Sequence, residues 1–235
     1  MNVRIVLVRP RNPLNIGAAA RAMANFGFDD LVVVDPYEPI WRETISAVGA
    51  EELVLKARCV KKLEEAVGDC QLVLGTTTAR ARRLDRTLAR LPDLDLFLKK
   101  NGCKGGQKTA LLFGSEKTGL GKKYLEKCNA FLTIPTSSAT PSMNLSHAVA
   151  VCCYELAKMD PGSASGEEPL VTVDKRERLV SHTLQLFEAA GYLSLEPEAL
   201  KVKKIRQILL QWNLRSSDVR LLHGIIRYMI ERMKG

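Results

Sequence analysis

The stretch Ala110-Leu111-Leu112-Phe113-Gly114-Ser115-Glu116-Lys117-Thr118-Gly119-Leu120 decides how this chain is read. Four apolar residues, enough for a buried strand, run straight into a glycine and a polar turn. The same design appears twice more. Arg4–Val8, apolar apart from Arg4, leads to Asn15-Ile16-Gly17-Ala18-Ala19-Ala20-Arg21. Phe131-Leu132-Thr133-Ile134 leads through Pro135 to Pro141-Ser142-Met143-Asn144-Leu145-Ser146. Each motif sets small residues, polar side chains and free backbone groups where a strand would end.

Outward from these motifs, Leu31–Val34 and Leu72-Val73-Leu74 read as further buried strands, the second stopped by Gly75 and Thr76-Thr77-Thr78. A short strand is predicted near Cys59-Val60. Helices are predicted at Ala18–Phe26 with Asn15 as its cap, at Ser46–Leu55, and at Leu63–Ala66. Leu145–Met159 is apolar almost all round, so it should be largely buried. Apolar strands alternating with helices predict an α/β fold with a parallel sheet covered on both faces. Ligands of such sheets bind beyond the carboxyl ends of the strands, which is where all three motifs sit.

Residues from Met159 to Pro169 have the composition of a linker. Three helical segments follow, at Lys175–Ala190, Pro197–Trp212 and Ser217–Met233. The expected organisation is an α/β domain over 1–160, a linker over 161–172 and a small basic helical module over 173–235. Residues 170–235 hold 12 Lys+Arg against 7 Asp+Glu, so this short tail carries more than half of the chain's net charge of +9. Such an excess favours a polyanionic partner. No apolar run is long enough to span a bilayer. The six cysteines form no C-x-x-C pair and no ligand spacing with histidine, so no metal site is expected, and the thiols read as reduced and cytosolic.

Together the three motifs resemble the signatures of the SPOUT methyltransferases, in particular the TrmH/SpoU class that methylates ribose 2′-hydroxyls in RNA. Within that class the chain is most similar to the TrmJ-type tRNA enzymes, well over residues 1–160 and more loosely in the tail. The loop Gly75-Thr76-Thr77-Thr78-Ala79-Arg80 and the segment Leu222-His223-Gly224-Ile225-Ile226 fit that subgroup. Ser115 departs from it, since many relatives carry arginine there. The resemblance implies a C-terminal trefoil knot, S-adenosyl-L-methionine as cofactor, a homodimer whose clefts are completed across subunits, and a tRNA ribose as substrate, at nucleotide 32 of the anticodon loop. Ribosomal RNA or another tRNA position is the alternative target. A non-catalytic RNA-binding or assembly factor is the alternative of another class.

By the same resemblance, Thr76, Thr77, Thr78, Gly114, Ile134, Pro141, Ser142, Met143 and Leu145 should line the cofactor site. Arg21, Asn15, Glu116, Ser142 and Asn144 should form the catalytic constellation. A guanidinium is a poor base, because its pKa exceeds about 12. Arg21 is therefore expected to grip a phosphate and orient the hydroxyl, taking a proton late if at all. Glu116 is expected to hold Arg21 or Asn144, or to close the motif against a partner subunit. Ser142 and Asn144 either bond substrate and cofactor or cap the helix at Leu145. His147 is expected to pack or face solvent. Arg80, Arg82, Arg83, Arg86 and Arg90, and Lys201, Lys203, Lys204 and Arg206 in the tail, are the expected RNA contacts. The glycine-rich turn after Phe113 lacks the Lys-Ser/Thr end of a P-loop.

Overall fold

The computed structural model describes residues 2–78, 86–101, 106–159, 168–195 and 198–234. They fall into two compact units, Met1–Ser165 and Gly166–Gly235. The first unit runs β1 (Asn2–Val8), α1 (Pro13–Asn25), β2 (Asp30–Val34), α2 (Glu51–Lys56), β3 (Arg58–Val60), α3 (Leu63–Val67), β4 (Leu72–Thr76), β5 (Leu88–Arg90), α4 (Leu94–Lys100), β6 (Lys108–Phe113), α5 (Lys122–Leu125), β7 (Ala130–Thr133) and α6 (Leu145–Ala157). Among the described residues, seven strands make one sheet in the order β3-β2-β1-β6-β4-β7-β5. Every pairing in it is parallel, with Val6 opposite Val32 on one side and opposite Leu112 on the other.

A strand sends alternate side chains to opposite faces. Val3, Ile5 and Leu7 enter a core shared with Ile16, Ala19 and Met23 of α1 and with Val149, Cys152 and Cys153 of α6. Val6 and Val8 are equally buried on the other face. There Arg4 donates to the Ala66 carbonyl at the end of α3 at 2.7 Å. On that face too, a Cβ on Gly75 would lie 2.8 Å from the Cys128 Sγ, so the segment around α5 is packed hard on the sheet. Both faces are covered, which is why these strands read as continuous apolar runs. Burial pushes the thiols of Cys70, Cys128 and Cys153 up to about 12.

Three expectations change. The cap of α1 is Asn12, whose Oδ1 accepts the Leu14 N–H at 2.9 Å, with Pro13 in the first turn. Proline has no N–H to lose there and its fixed φ favours the start of a helix, so α1 begins earlier than predicted and Asn15 is released for other work. The helix expected at Ser46–Leu55 shrinks to α2. Ser46 instead donates from Oγ to the Leu14 carbonyl at 2.6 Å and lies where a Cβ on Gly17 would meet it at 2.4 Å. Arg86 is buried rather than part of a basic surface. It donates to the carbonyls of Leu125, Cys128 and Glu126 at 2.6, 2.7 and 2.9 Å, and so binds the end of α5 and the turn that follows it. The strand β5 and helix α4 have no counterpart in the sequence reading.

At the opposite end of the sheet from the three motifs, Arg4 binds Asp30 through Nε at 2.9 Å and pairs with Asp69, which Lys108 also holds at 2.8 Å. Burial alone would raise the Asp69 carboxyl. Its hydrogen bonds from Arg4 and Lys108 outweigh that and hold it far below the usual carboxylate range.

The second unit contains α7 (Val173–Ala189), α8 (Glu198–Gln211) and α9 (Ser216–Lys234) around Val171, Leu179, Val180, Leu209, Leu214, Val219 and Ile226. Leu170 forms a bridge with Arg215, so ordered packing starts before the first helix. Between α7 and α9 the Nδ1 atoms of His182 and His223 lie 2.7 Å apart. No helix among the described residues is long and apolar enough to cross a membrane.

Candidate active site

The carboxyl ends of β6, β4 and β7 lie side by side, and the segments leaving them enclose a cavity of about 320 Å3. That is the lower end of the range for small-molecule sites. Thr76, Thr77 and Thr78 line it from β4. Gly114, Ser115 and Glu116 come from β6; Ile134, Thr136, Pro141, Ser142 and Met143 come from the loop after β7; Leu145 and Ala148 come from α6. All nine residues expected to line a cofactor site meet in this one cavity.

Local bonding shapes its walls. Thr76 donates from Oγ1 to the Leu112 carbonyl at 2.8 Å, and the Thr77 N–H reaches the Leu132 carbonyl at 2.9 Å. Two of the three threonines are therefore fixed between neighbouring strands. The Gly119 N–H closes on the Ser115 carbonyl at 2.7 Å with Gly119 at φ +63°, making a tight turn. A Cβ on Gly114 would lie 2.0 Å from the Gly119 carbonyl carbon. Gly114 is thus required by the chain folding back on itself. Thr136 Oγ1 bonds the Pro141 carbonyl at 3.1 Å and closes the loop after β7 in the same manner.

One network joins all three motifs at the rim. Asn15 donates from Nδ2 to Glu116 Oε1 at 2.8 Å, and Asn144 donates from Nδ2 to Asn15 Oδ1 at 3.0 Å. Glu116 also accepts the backbone N–H of Arg11 at 2.8 Å and of Asn12 at 3.1 Å. Asn144 Oδ1 caps α6 by accepting the Ser146 N–H at 2.9 Å. Asn144 therefore caps with its oxygen and links with its nitrogen. Partial burial would raise the Glu116 carboxyl, but the Asn15 amide and the two backbone N–H groups hold it below its ordinary value. The partners of Glu116 are Asn15 and the backbone ahead of α1, rather than Arg21 or Asn144.

Arg21 stands apart. It is exposed on α1, outside the cavity lining and outside the network. Ser142 lines the cavity yet remains exposed, and His147 faces solvent. Arg80, Arg82 and Arg83 lie outside the described residues. In the second unit Lys204 is exposed and Lys203 half-buried on α8. Lys201 and Arg206 are engaged inside that unit, with the Tyr192 carbonyl and with Glu177. Lining residues outside the expected set are Phe113, Ser115 and Lys117 to Leu120, all within the motif after β6, and Leu132, Thr136 and Ala148. Thr136 and Ala148 had a signal available, since both flank motif positions by a helical or turn spacing.

The lining fits a nucleoside carrying a charged amino-acid tail. Leu132, Ile134, Met143, Leu145 and Ala148 offer an apolar slot, while the hydroxyls of Thr78, Ser115 and Ser142 and open loop backbone offer polar partners. Known proteins agree in kind. Residues 2–154 match the SpoU rRNA Methylase family. The chain is 32% identical over 242 aligned positions to the tRNA (cytidine/uridine-2′-O-)-methyltransferase TrmJ of Salmonella typhimurium, covering 100% of this chain and 98% of that one. TrmJ of Escherichia coli strain K12 gives the same identity, with 100% and 97% covered. The crystal structure of TrmJ from Z. mobilis ZM4 superposes with a TM-score of 0.83 at 28% identity, over 97% of this chain and 99% of that one. With its motifs joined at one cavity, and with relatives that match it from end to end, this chain belongs to the SpoU methylase family, among the proteins of the TrmJ type.

Proposed function

We propose that this protein is an S-adenosyl-L-methionine-dependent RNA methyltransferase that modifies a ribose 2′-hydroxyl of tRNA, at nucleotide 32 of the anticodon loop. The observation that carries the reading is the Asn15–Glu116–Asn144 network, which fastens all three motifs at the mouth of a cavity suited to an adenosine. The end-to-end similarity to tRNA 2′-O-methyltransferases supports tRNA as the substrate class. A tRNA substrate implies a reaction in the cytoplasm.

The bound cofactor supplies an electrophilic methyl on a sulfonium. The chain's own residues do the rest, and most of that is positioning. Leu132, Ile134, Met143 and Leu145 exclude water from the adenosine slot. Glu116 and Asn15 lock the turn after β6 to the start of α1, and Asn144 ties α6 to the same point. Held there, the cofactor would give that methyl to the ribose oxygen, its sulfur left as the neutral thioether and the hydroxyl proton passed to water. Arg21, free of the network, orients the hydroxyl through the neighbouring phosphate. Because Arg21 lies outside its own chain's cavity lining, the reading includes a homodimer in which it serves the partner's cleft. It also includes a trefoil knot over the second and third motifs. The placement of β4 between β6 and β7 supports that threading. The 1–160, 161–172 and 173–235 organisation belongs to the same reading, with Arg80, Arg82, Arg83, Lys203 and Lys204 meeting RNA phosphates.

The deciding experiment is methyl transfer from labelled S-adenosylmethionine to unmodified tRNA transcripts, with nuclease mapping and Arg21→Ala in parallel. The expected result is a 2′-O-methyl in the anticodon loop, reduced at least about a hundredfold by Arg21→Ala. Because Arg21 is exposed, its loss should leave the unfolding free energy within about 0.5 kcal/mol. Cofactor binding without incorporation into tRNA would move the target to ribosomal RNA. No cofactor binding would sink the enzyme reading.

A further inference from the structure

Two strand ends beside the first motif carry backbone that their residues disfavour. Arg9, after β1, has φ 52°, and Asp35, after β2, has φ 47°. Both are in the left-handed region, where a Cβ is strained, and both directly precede a proline, which further restricts them. Such strain persists only where surrounding bonds impose it, and it gathers at functional surfaces. Here the two turns brace each other. The Arg9 N–H reaches the Val34 carbonyl at 2.8 Å and the Tyr37 N–H reaches the Pro10 carbonyl at 3.0 Å, while Arg9 Nε pairs with Asp35 at 3.1 Å.

The product of this bracing is a surface feature with no role in the core. The Arg11 guanidinium sits 4.5 Å from the centre of the Tyr37 ring, and Tyr37 remains 59% exposed. Arg9 and Arg11 are exposed as well. The backbone N–H of Arg11 is held by Glu116, a residue of the cavity wall, so the pair is tied directly to the site. An exposed ring under a guanidinium is what an unpaired nucleotide requires: a π-face for the base and cations for the phosphate. A duplex offers no free base face to such a ring.

Building on the RNA methyltransferase reading, we propose that Arg11 and Tyr37, braced by the Arg9–Asp35 pair, form a stacking platform for one base of the single-stranded substrate loop. The base stacks on Tyr37 or on the Arg11 plane above it, and Arg9 and Arg11 meet the adjoining phosphates. Arg11 and Tyr37 are thus substrate-positioning residues.

The test compares full-length wild type with Tyr37→Leu, which keeps apolar bulk without a π-face, Tyr37→Phe, which keeps the face, and Arg11→Gln. Affinity for unmodified tRNA is read by filter binding, cofactor affinity by calorimetry, oligomeric state by sedimentation, and fold by melting temperature. Tyr37→Leu is expected to weaken tRNA binding and raise its KM about tenfold. It should leave cofactor affinity and melting temperature unchanged, and Tyr37→Phe should restore wild-type values. Arg11→Gln is expected to reduce the slope of log affinity against log salt by about one. Indifference of tRNA binding to Tyr37→Leu and Arg11→Gln overturns the platform. So does an equal loss of cofactor affinity, which would make the pair a prop of the cavity. A changed oligomeric state with RNA affinity kept would make the pair a protein interface and overturns the platform as well. Absence of tRNA methylation by wild type overturns the underlying reading, whereas its presence alongside an indifferent Tyr37→Leu overturns the platform alone.

Discussion

Glu116 is a carboxylate whose oxygens are both assigned to donors. Glu116→Gln preserves its shape but turns one acceptor into a donor facing an N–H group. We expect a stability loss of about 1–2 kcal/mol, allowing for the screening of a half-buried group, seen in urea unfolding. A fall in kcat/KM of roughly tenfold or more should accompany it, since the turn after β6 loses its hold on α1. An unchanged rate would show that the network is not needed for positioning. Gly114→Ala is the harsher change. The added carbon meets backbone at 2.0 Å rather than a side chain able to turn away, and cofactor affinity measured by calorimetry should be lost along with stability. The types and spacing of Asn15, Glu116 and Asn144 were legible in the sequence because each lies at a strand end within a motif. Which of them touch was not. Asn12 competes with Asn15 for the cap, and Pro13 in the first turn favours Asn12. Nor does anything in the sequence separate Arg86 from Arg80, Arg82, Arg83 and Arg90. Its burial depends on three carbonyls contributed about forty residues later.

At the scale of elements, Arg86 stitches β5 to the turn after α5. Replacing it by methionine keeps much of the volume and withdraws the guanidinium from all three carbonyls. We expect Arg86→Met to cost about 2–3 kcal/mol in chemical denaturation, whereas Arg90→Met, on the exposed side of the same strand, should change little. The β5 strand escaped the sequence reading because Leu88-Ala89-Arg90 is too short and too mixed to carry a period. The helices α7 and α9 carry a pH dependence of their own. Burial, and then the neighbouring His182, hold the His223 imidazole below its ordinary value of 6.5. The unfolded chain therefore binds more protons in the interval just below 6.5, so stability falls as pH drops through it and levels off beneath the folded value. Urea unfolding of the helical unit at about pH 7.5 and about pH 5.5 should show the loss, and His223→Gln should flatten it. A pH-independent midpoint in the wild type would refute this assignment.

The first unit holds every residue that lines the cavity and its own core, and the second holds a separate core. A protein ending at Ser165 is expected to keep cofactor affinity within about twofold and to lose roughly tenfold or more in affinity for tRNA, with a shallower salt dependence. Equal tRNA binding by both forms would free the tail of an RNA role. The parallel sheet was readable from alternating apolar runs. The order of its strands was not, because which strand lies beside which is fixed by long-range packing that no local pattern records.

That order has a consequence in time. The pairing of β1 with β6 sets Asn2 beside Lys108. A ribosome adding about 5–20 residues per second needs roughly 5–20 s to make the intervening chain. During that interval one edge of the apolar strand β1 has no neighbour, although β2 has already emerged on its other side. A nascent chain in this state is an early client for ribosome-bound chaperones, and synthesis that stalls before Phe113 should leave an aggregation-prone fragment rather than a half-folded one.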